Sequence, residues 1–154
     1  MRTKLLDWIR DLVKKYNIDG IRIDTIPEVP KSFWKQFSQA SGVYTVGEVF
    51  DGDMGYLAGY LGSLDAVLNY PFFYWVRDTI FNVKDMTNLR NYYTQWAKHI
   101  DPSKLNYMGN FIDNHDNARV LSWGGDSNDK KKHLKSANLM ALTSVGIPIV
   151  YYGT

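Results

Sequence analysis

The stretch IDGIRIDTIPEVPKSFWKQFSQASGVYTVGEVF, residues 18 to 50, decides the fold. Its first part, GIRID, is short and β-branched. Pro27 and Pro30 then close it off, because proline can neither continue a central strand nor sit inside a helix. We read residues 20 to 24 as a buried strand. Phe33, Trp34, Phe37 and Ala40 recur at the spacing of one helix face and Gly42 stops them, which predicts a helix over 31 to 41. YTVGEVF, 44 to 50, follows as a second strand. Strand, helix and strand within about thirty residues form a βαβ unit, which lays two parallel strands side by side.

The same alternation runs outward in both directions. Upstream, Leu5, Trp8, Ile9, Leu12, Val13 and Tyr16 share one helical face, and Asn17 suits a left-handed close. Downstream, LDAVLNY (64 to 70) reads as a strand and Pro71 opens a helix carrying Phe72, Trp75, Val76 and Ile80. Leu89, Tyr92, Tyr93 and Trp96 mark another helix. NYMGNFID (106 to 113) reads as the fourth strand. A helix over 129 to 145, on Leu134, Ala137, Ala141, Leu142 and Val145, is capped by Gly146, and GIPIVYYG (146 to 153) is the fifth strand. Strands apolar nearly throughout, alternating with helices, predict an α/β fold of five parallel strands with flanking helices. It is either doubly wound or a partial (β/α)8 TIM barrel. Five strands do not close a barrel, and the pattern opens inside a crossover helix and stops directly after a strand. We therefore expect residues 1 to 154 to be one portion of a longer catalytic domain.

Composition narrows the function classes. Of 154 residues 45% are hydrophobic and 22% charged, which excludes a disordered tail or a coiled coil. No run approaches the roughly eighteen apolar residues of a membrane span, and the opening MRTKLLDWIRDLVKK is amphipathic rather than a signal peptide. A net charge of +2 points to neither nucleic acid nor an anionic membrane as partner. With 0 Cys there is no disulfide, thiolate nucleophile or thiolate zinc site. The 5 Trp, 11 Tyr and 7 Phe fill a core first, with some left over to line a surface for ring-shaped ligands.

In parallel α/β folds chemistry gathers at the C-terminal ends of strands. Here the first strand ends in Asp24, the second carries Glu48 near its end, and the fourth runs into Asp113-Asn114-His115-Asp116. Acids at buried strand ends are costly unless function or a partner holds them. Two acids in one cleft suit glycoside hydrolysis, one donating a proton to the leaving oxygen and the other attacking or stabilising the anomeric carbon; a third could grip the sugar. Arg22, two residues before Asp24, points to the same side of the strand and would keep Asp24 ionised. A divalent-ion hydrolase built on Asp113, His115 and Asp116 is the rival, weakened because adjacent strand residues point apart.

DGIRIDTIPEV (19 to 29), GEVF (47 to 50), FIDNHD (111 to 116) and GIPIVYYG (146 to 153) together resemble the signature segments of the α-amylase family of retaining glycosidases, in order. LDAVLNYPFFY (64 to 74) is similar to the matching region of fungal-type members. The resemblance implies strands four to eight of a (β/α)8 barrel, and a parent enzyme that hydrolyses α-1,4-glucosidic bonds of starch- or glycogen-type glucans; this portion is expected to be inactive without the rest of its domain. It implies Asp24 as nucleophile, Glu48 as acid/base and Asp116 as the third carboxylate. Arg22, His115, Glu28 and Phe50 are implied as substrate-binding residues, and Asp113 as a spacer or loop residue. Fungal-type members carry Lys-His where this chain has Pro27-Glu28, so contacts on the leaving-group side differ. Calcium is implied for the complete enzyme, to which this chain would lend the Glu28 backbone carbonyl. Secretion, or a lysosomal or vacuolar compartment, is implied in the same way. An α-glucosidase or transglycosylase, or a non-catalytic glycosidase-like binding protein, are the alternatives within the resemblance.

Overall fold

The computed structural model describes residues 1–82, 85–123 and 127–154, without the side chains of 127 and 128. Helix α1 (Arg2–Tyr16) ends on Asn17, whose φ of 50° is the expected left-handed close. β1 (Gly20–Ile23) leads through a short 3-10 turn into α2 (Lys31–Ser41), which stops at Gly42 with φ 67°. β2 (Tyr44–Gly47) completes the βαβ unit and pairs with β1 in parallel, Gly20 opposite Tyr44 and Ile23 opposite Gly47. β3 (Ala66–Val67) pairs with β2, and β4 (Gly109–Asn110) pairs with β5 (Ile147–Pro148), all in parallel. A single parallel bridge from Leu68 to Gly109 joins the two groups, so the strands lie side by side in chain order. Helices α4 (Tyr70–Val76), α5 (Thr87–His99) and α6 (Ser127–Thr143) occupy the later crossovers. Ile9, Ile26, Val49, Leu57, Phe72, Trp96 and Met108 are fully buried between the layers.

The strands are shorter than the apolar runs that announce them, for local reasons. Tyr70, expected to end the third strand, opens α4 instead, because Asn69 accepts from Phe72 N at 3.2 Å and Pro71 occupies the first turn. Residues ahead of β4 wind into a 3-10 helix (Pro102–Tyr107) behind an Asp101 cap. After β2 a short helix, α3 (Met54–Ala58), is started by Asp53 accepting from Tyr56 N at 2.7 Å. Nor is the first strand buried throughout: Gly20 and Arg22 are exposed, as are both residues of β5. Among the described residues β1 pairs only with β2 and β5 only with β4, so neither has a neighbour on its outer side. The last helix ends at Thr143, and Gly146, with φ 132°, serves a close approach to Asn110 rather than a helix cap.

Gly47, the last residue of β2, leaves room for two core side chains to press on the strand. A Cβ there would come within 2.5 Å of Leu64 Cδ1 and 2.7 Å of Ile26 Cδ1. We expect Gly47→Ala to destabilise the fold by about 1 to 3 kcal/mol, read as a lower urea midpoint at unchanged slope. An unchanged midpoint would mean that the core gives way freely there.

Candidate active site

Asp24 is the first residue beyond β1 and Glu48 the first beyond β2, and the pairing of Ile23 with Gly47 sets the two side by side. Arg22 joins them. Its Nη1 donates to Asp24 Oδ1 and its Nη2 lies 3.2 Å from Glu48 Oε1. Glu48 is buried, at 7% exposure, whereas the Asp24 side chain is open to solvent. The Asp24 carboxyl is held below the usual carboxylate range, first by its hydrogen bond with the Glu48 carboxyl, then by the Thr25 hydroxyl and Arg22. One ionised, accessible carboxylate next to one sheltered carboxyl is the division of labour that glycoside hydrolysis needs.

Tyr70, at the start of α4, extends the site towards β4. Its hydroxyl stands 3.5 Å from Glu48 Oε1 and accepts from Asn114 Nδ2 at 3.2 Å. Burial pushes that hydroxyl up to about 12; the Glu48 and Asp116 charges act in the same direction, the Asn114 hydrogen bond against it. Asn114 Oδ1 accepts from the N–H groups of Asp116 and Asn117 at 3.0 Å each, and so shapes the turn that presents Asp116. His115 Nε2 lies 3.1 Å from Asp116 Oδ2. Asp24, Glu48 and Arg22 thus meet directly, while Asp116 and His115 join through Asn114 and Tyr70.

The remaining predicted residues take distinct places. Phe50 is 57% exposed and packs edge-on against Tyr70, with ring centres 4.6 Å apart. Glu28 is exposed on the 3-10 turn after β1, and with Phe50, Asp51 and Tyr56 it lines a pocket of about 260 Å³ beside Glu48. Arg22, Asn114, His115 and Tyr151 line a second pocket of about 180 Å³. A larger cavity of about 690 Å³ lies at the opposite strand ends, by Tyr44, Asp65 and Tyr107, and none of the predicted site residues lines it.

Asp113 is a loop residue, as one of the two expected readings has it, but not a passive spacer. It is 1% exposed and accepts from Arg119 Nε at 3.0 Å and Val120 N at 3.3 Å, which commits its carboxylate to structure even though the residue borders the pocket of Arg22 and His115. That orientation also removes it from any ion site shared with His115 and Asp116. Among the described residues no three metal-ligating side chains gather. One carbonyl at Glu28 falls far short of the six or more oxygens calcium takes, so the residues present do not by themselves fit a resident calcium. Sequence reasoning missed Thr25, Tyr70 and Asn114. Tyr70 was hidden in an apolar run, and the other two are short polar neighbours of more conspicuous acids.

The family description "Alpha amylase, catalytic domain" matches residues 1–154. The chain belongs to the alpha-amylase family. It is 39% identical over 160 residues to Alpha-amylase 1 of Lipomyces kononenkoae, a match covering 99% of this chain and 24% of that protein. It is 40% identical over 155 residues to the Beta/alpha-amylase of Paenibacillus polymyxa, covering 98% of this chain and 13% of that one. The chain therefore spans a quarter or less of the length of these two relatives. Among solved structures, an alpha-amylase from Malbranchea cinnamomea superposes with a TM-score of 0.84 at 38% identity, covering 99% of this chain and 31% of that one. The alpha-amylase from Geobacillus thermoleovorans, complexed with acarbose, gives 0.85 at 30% identity, covering 99% and 36%.

Proposed function

We propose that these residues form strands four to eight of a (β/α)8 catalytic barrel in an enzyme that hydrolyses α-1,4-glucosidic bonds of starch- or glycogen-type glucans with retention. The observation that carries this reading is the adjacency of Asp24 and Glu48 at the C-terminal ends of paired strands, both on Arg22. The names of the relatives and the acarbose complex of one of them support the substrate class.

Asp24 attacks the anomeric carbon while Glu48 protonates the departing glycosidic oxygen, leaving a glycosyl ester on Asp24. Glu48, now a carboxylate, takes a proton from water as that water displaces the ester. Asp116 and His115 hydrogen-bond sugar hydroxyls from the β4 side. The leaving group lies in the pocket of Glu28, Phe50 and Tyr56, since that pocket adjoins the proton donor and not the nucleophile. The remaining strands of the domain close the barrel against β1 and β5. Of the oxygens calcium would need in the complete enzyme, this portion would lend the Glu28 carbonyl. The anomer released first decides the stereochemistry. Proton NMR of maltooligosaccharide cleavage by the complete catalytic domain should show the α-anomer first, and initial release of the β-anomer would overturn the double displacement.

A further inference from the structure

Arg22 is not the only residue that touches both carboxyls. Thr25 donates through its main-chain N–H to Glu48 Oε2 at 3.2 Å and through its hydroxyl to Asp24 Oδ2 at 3.0 Å. Arg22 takes the other oxygen of each, Asp24 Oδ1 and Glu48 Oε1. Each carboxylate is therefore held at both oxygens by the same two residues, one on either side.

Thr25 reaches this position with a left-handed backbone, φ 47° and ψ 45°. For a β-branched residue that is a strained conformation, and such strain persists only where the surroundings impose it. The other positive φ values among the described residues belong to Asn17 and three glycines, types that tolerate it. What the strain secures is visible in the hydrogen bonds. Ile26 N donates to the Glu48 main-chain oxygen at 3.2 Å, so two successive N–H groups, of Thr25 and Ile26, converge on one residue. An extended backbone would send them to opposite sides of the chain.

The geometry points to Thr25 as a positioning residue that fixes the orientation of the Asp24 and Glu48 carboxyls relative to one another. This role rests on the double-displacement reading above. A hydroxyl that donates to a carboxylate favours its ionised form. The charged groups facing Asp24 are Arg22 on β1 and Glu48 just beyond β2; the His115–Asp116 pair stands in the segment after β4, across the pocket that Arg22 and His115 line. Loss of the hydroxyl leaves Asp24 with Arg22 and Glu48, so Asp24 holds its proton to higher pH and the acid limb of the rate profile moves up.

The test is the pH profile of kcat/KM for the complete catalytic domain carrying Thr25→Val, which keeps the branching and the N–H and removes only the hydroxyl. The acid limb should rise by about half to one pH unit, the scale of one hydrogen bond. At the plateau kcat should fall roughly five- to tenfold with KM changed less than about twofold, since positioning acts on the transition state. Thr25→Ser should restore both. Thr25→Gly, which removes strain and hydroxyl together, should show the same limb shift and supplies the result should the valine variant fold poorly. An unmoved limb in Thr25→Val and Thr25→Gly, or a serine variant as impaired as the valine one, overturns the role of Thr25. Asp24→Asn separates this from the larger claim: retained turnover there overturns the double displacement itself, whereas lost turnover with an unmoved Thr25→Val limb overturns Thr25 alone.

Discussion

In the complete catalytic domain, Glu48→Gln should lower turnover of maltooligosaccharides by about 10² to 10⁴, and Asp24→Asn by at least as much. The two losses have different origins and separate on a substrate with an already acidic leaving group, such as a dinitrophenyl glucoside. Departure of that phenolate needs no proton, so the first step in Glu48→Gln proceeds and most of the deficit on that step disappears. Deglycosylation still lacks its base, so a burst of phenolate followed by slow turnover is the expected trace. Azide, a nucleophile that needs no base, should then speed the second step. Asp24→Asn gains nothing from either change because the attacking oxygen is gone. The structure supports that assignment of roles through exposure: Asp24 stands open and held ionised, while Glu48 is 7% exposed behind Arg22 and Tyr70. Equal losses on the activated substrate would exchange or dissolve the roles.

Much of this site was legible because strand ends are. The βαβ pattern of residues 18 to 50 places Asp24 and Glu48 on adjacent parallel strands, and period two along a strand sends Arg22 and Asp24 the same way. The strand lengths were not legible, because the apolar runs continue into segments buried for other reasons. Tyr70, Phe73 and Phe111 pack as a small aromatic cluster beyond the ends of β3 and β4, hydrophobic like a strand but helical or irregular in backbone. Thr25 escaped notice because nothing in the residue type signals a left-handed turn; only the fold forces it. Asp113, expected to be a spacer or loop residue, shows another limit: nothing in FIDNHD itself signals its burial, which depends on Arg119 six residues on and Thr154 at the far end of the chain.

Asp113 is accordingly where the largest stability loss from one polar side chain should appear. Its carboxylate is fully covered, at 0% side-chain exposure, and the Thr154 hydroxyl donates to it at 2.9 Å from the segment after β5. Arg119 adds a charge-assisted bond, and its guanidinium also donates to Tyr152 O at 2.7 Å and rests 5.0 Å from the Tyr151 and Tyr152 ring centres. One buried carboxylate thus joins the end of β4 to the chain beyond β5. In Asp113→Ala the N–H of Val120, itself 2% exposed, loses its acceptor and Arg119 loses its counter-charge. Breaking such an arrangement from the buried side costs about 3 kcal/mol, against about 1 kcal/mol for Asp113→Asn, which keeps an acceptor oxygen and gives up only the charge. Urea unfolding at neutral pH, with slopes compared to confirm a common unfolded state, gives both values. A loss in Asp113→Ala no larger than the roughly 0.5 kcal/mol of an ordinary surface substitution would show the carboxylate to be solvated, and the cleft would gain a fourth acid.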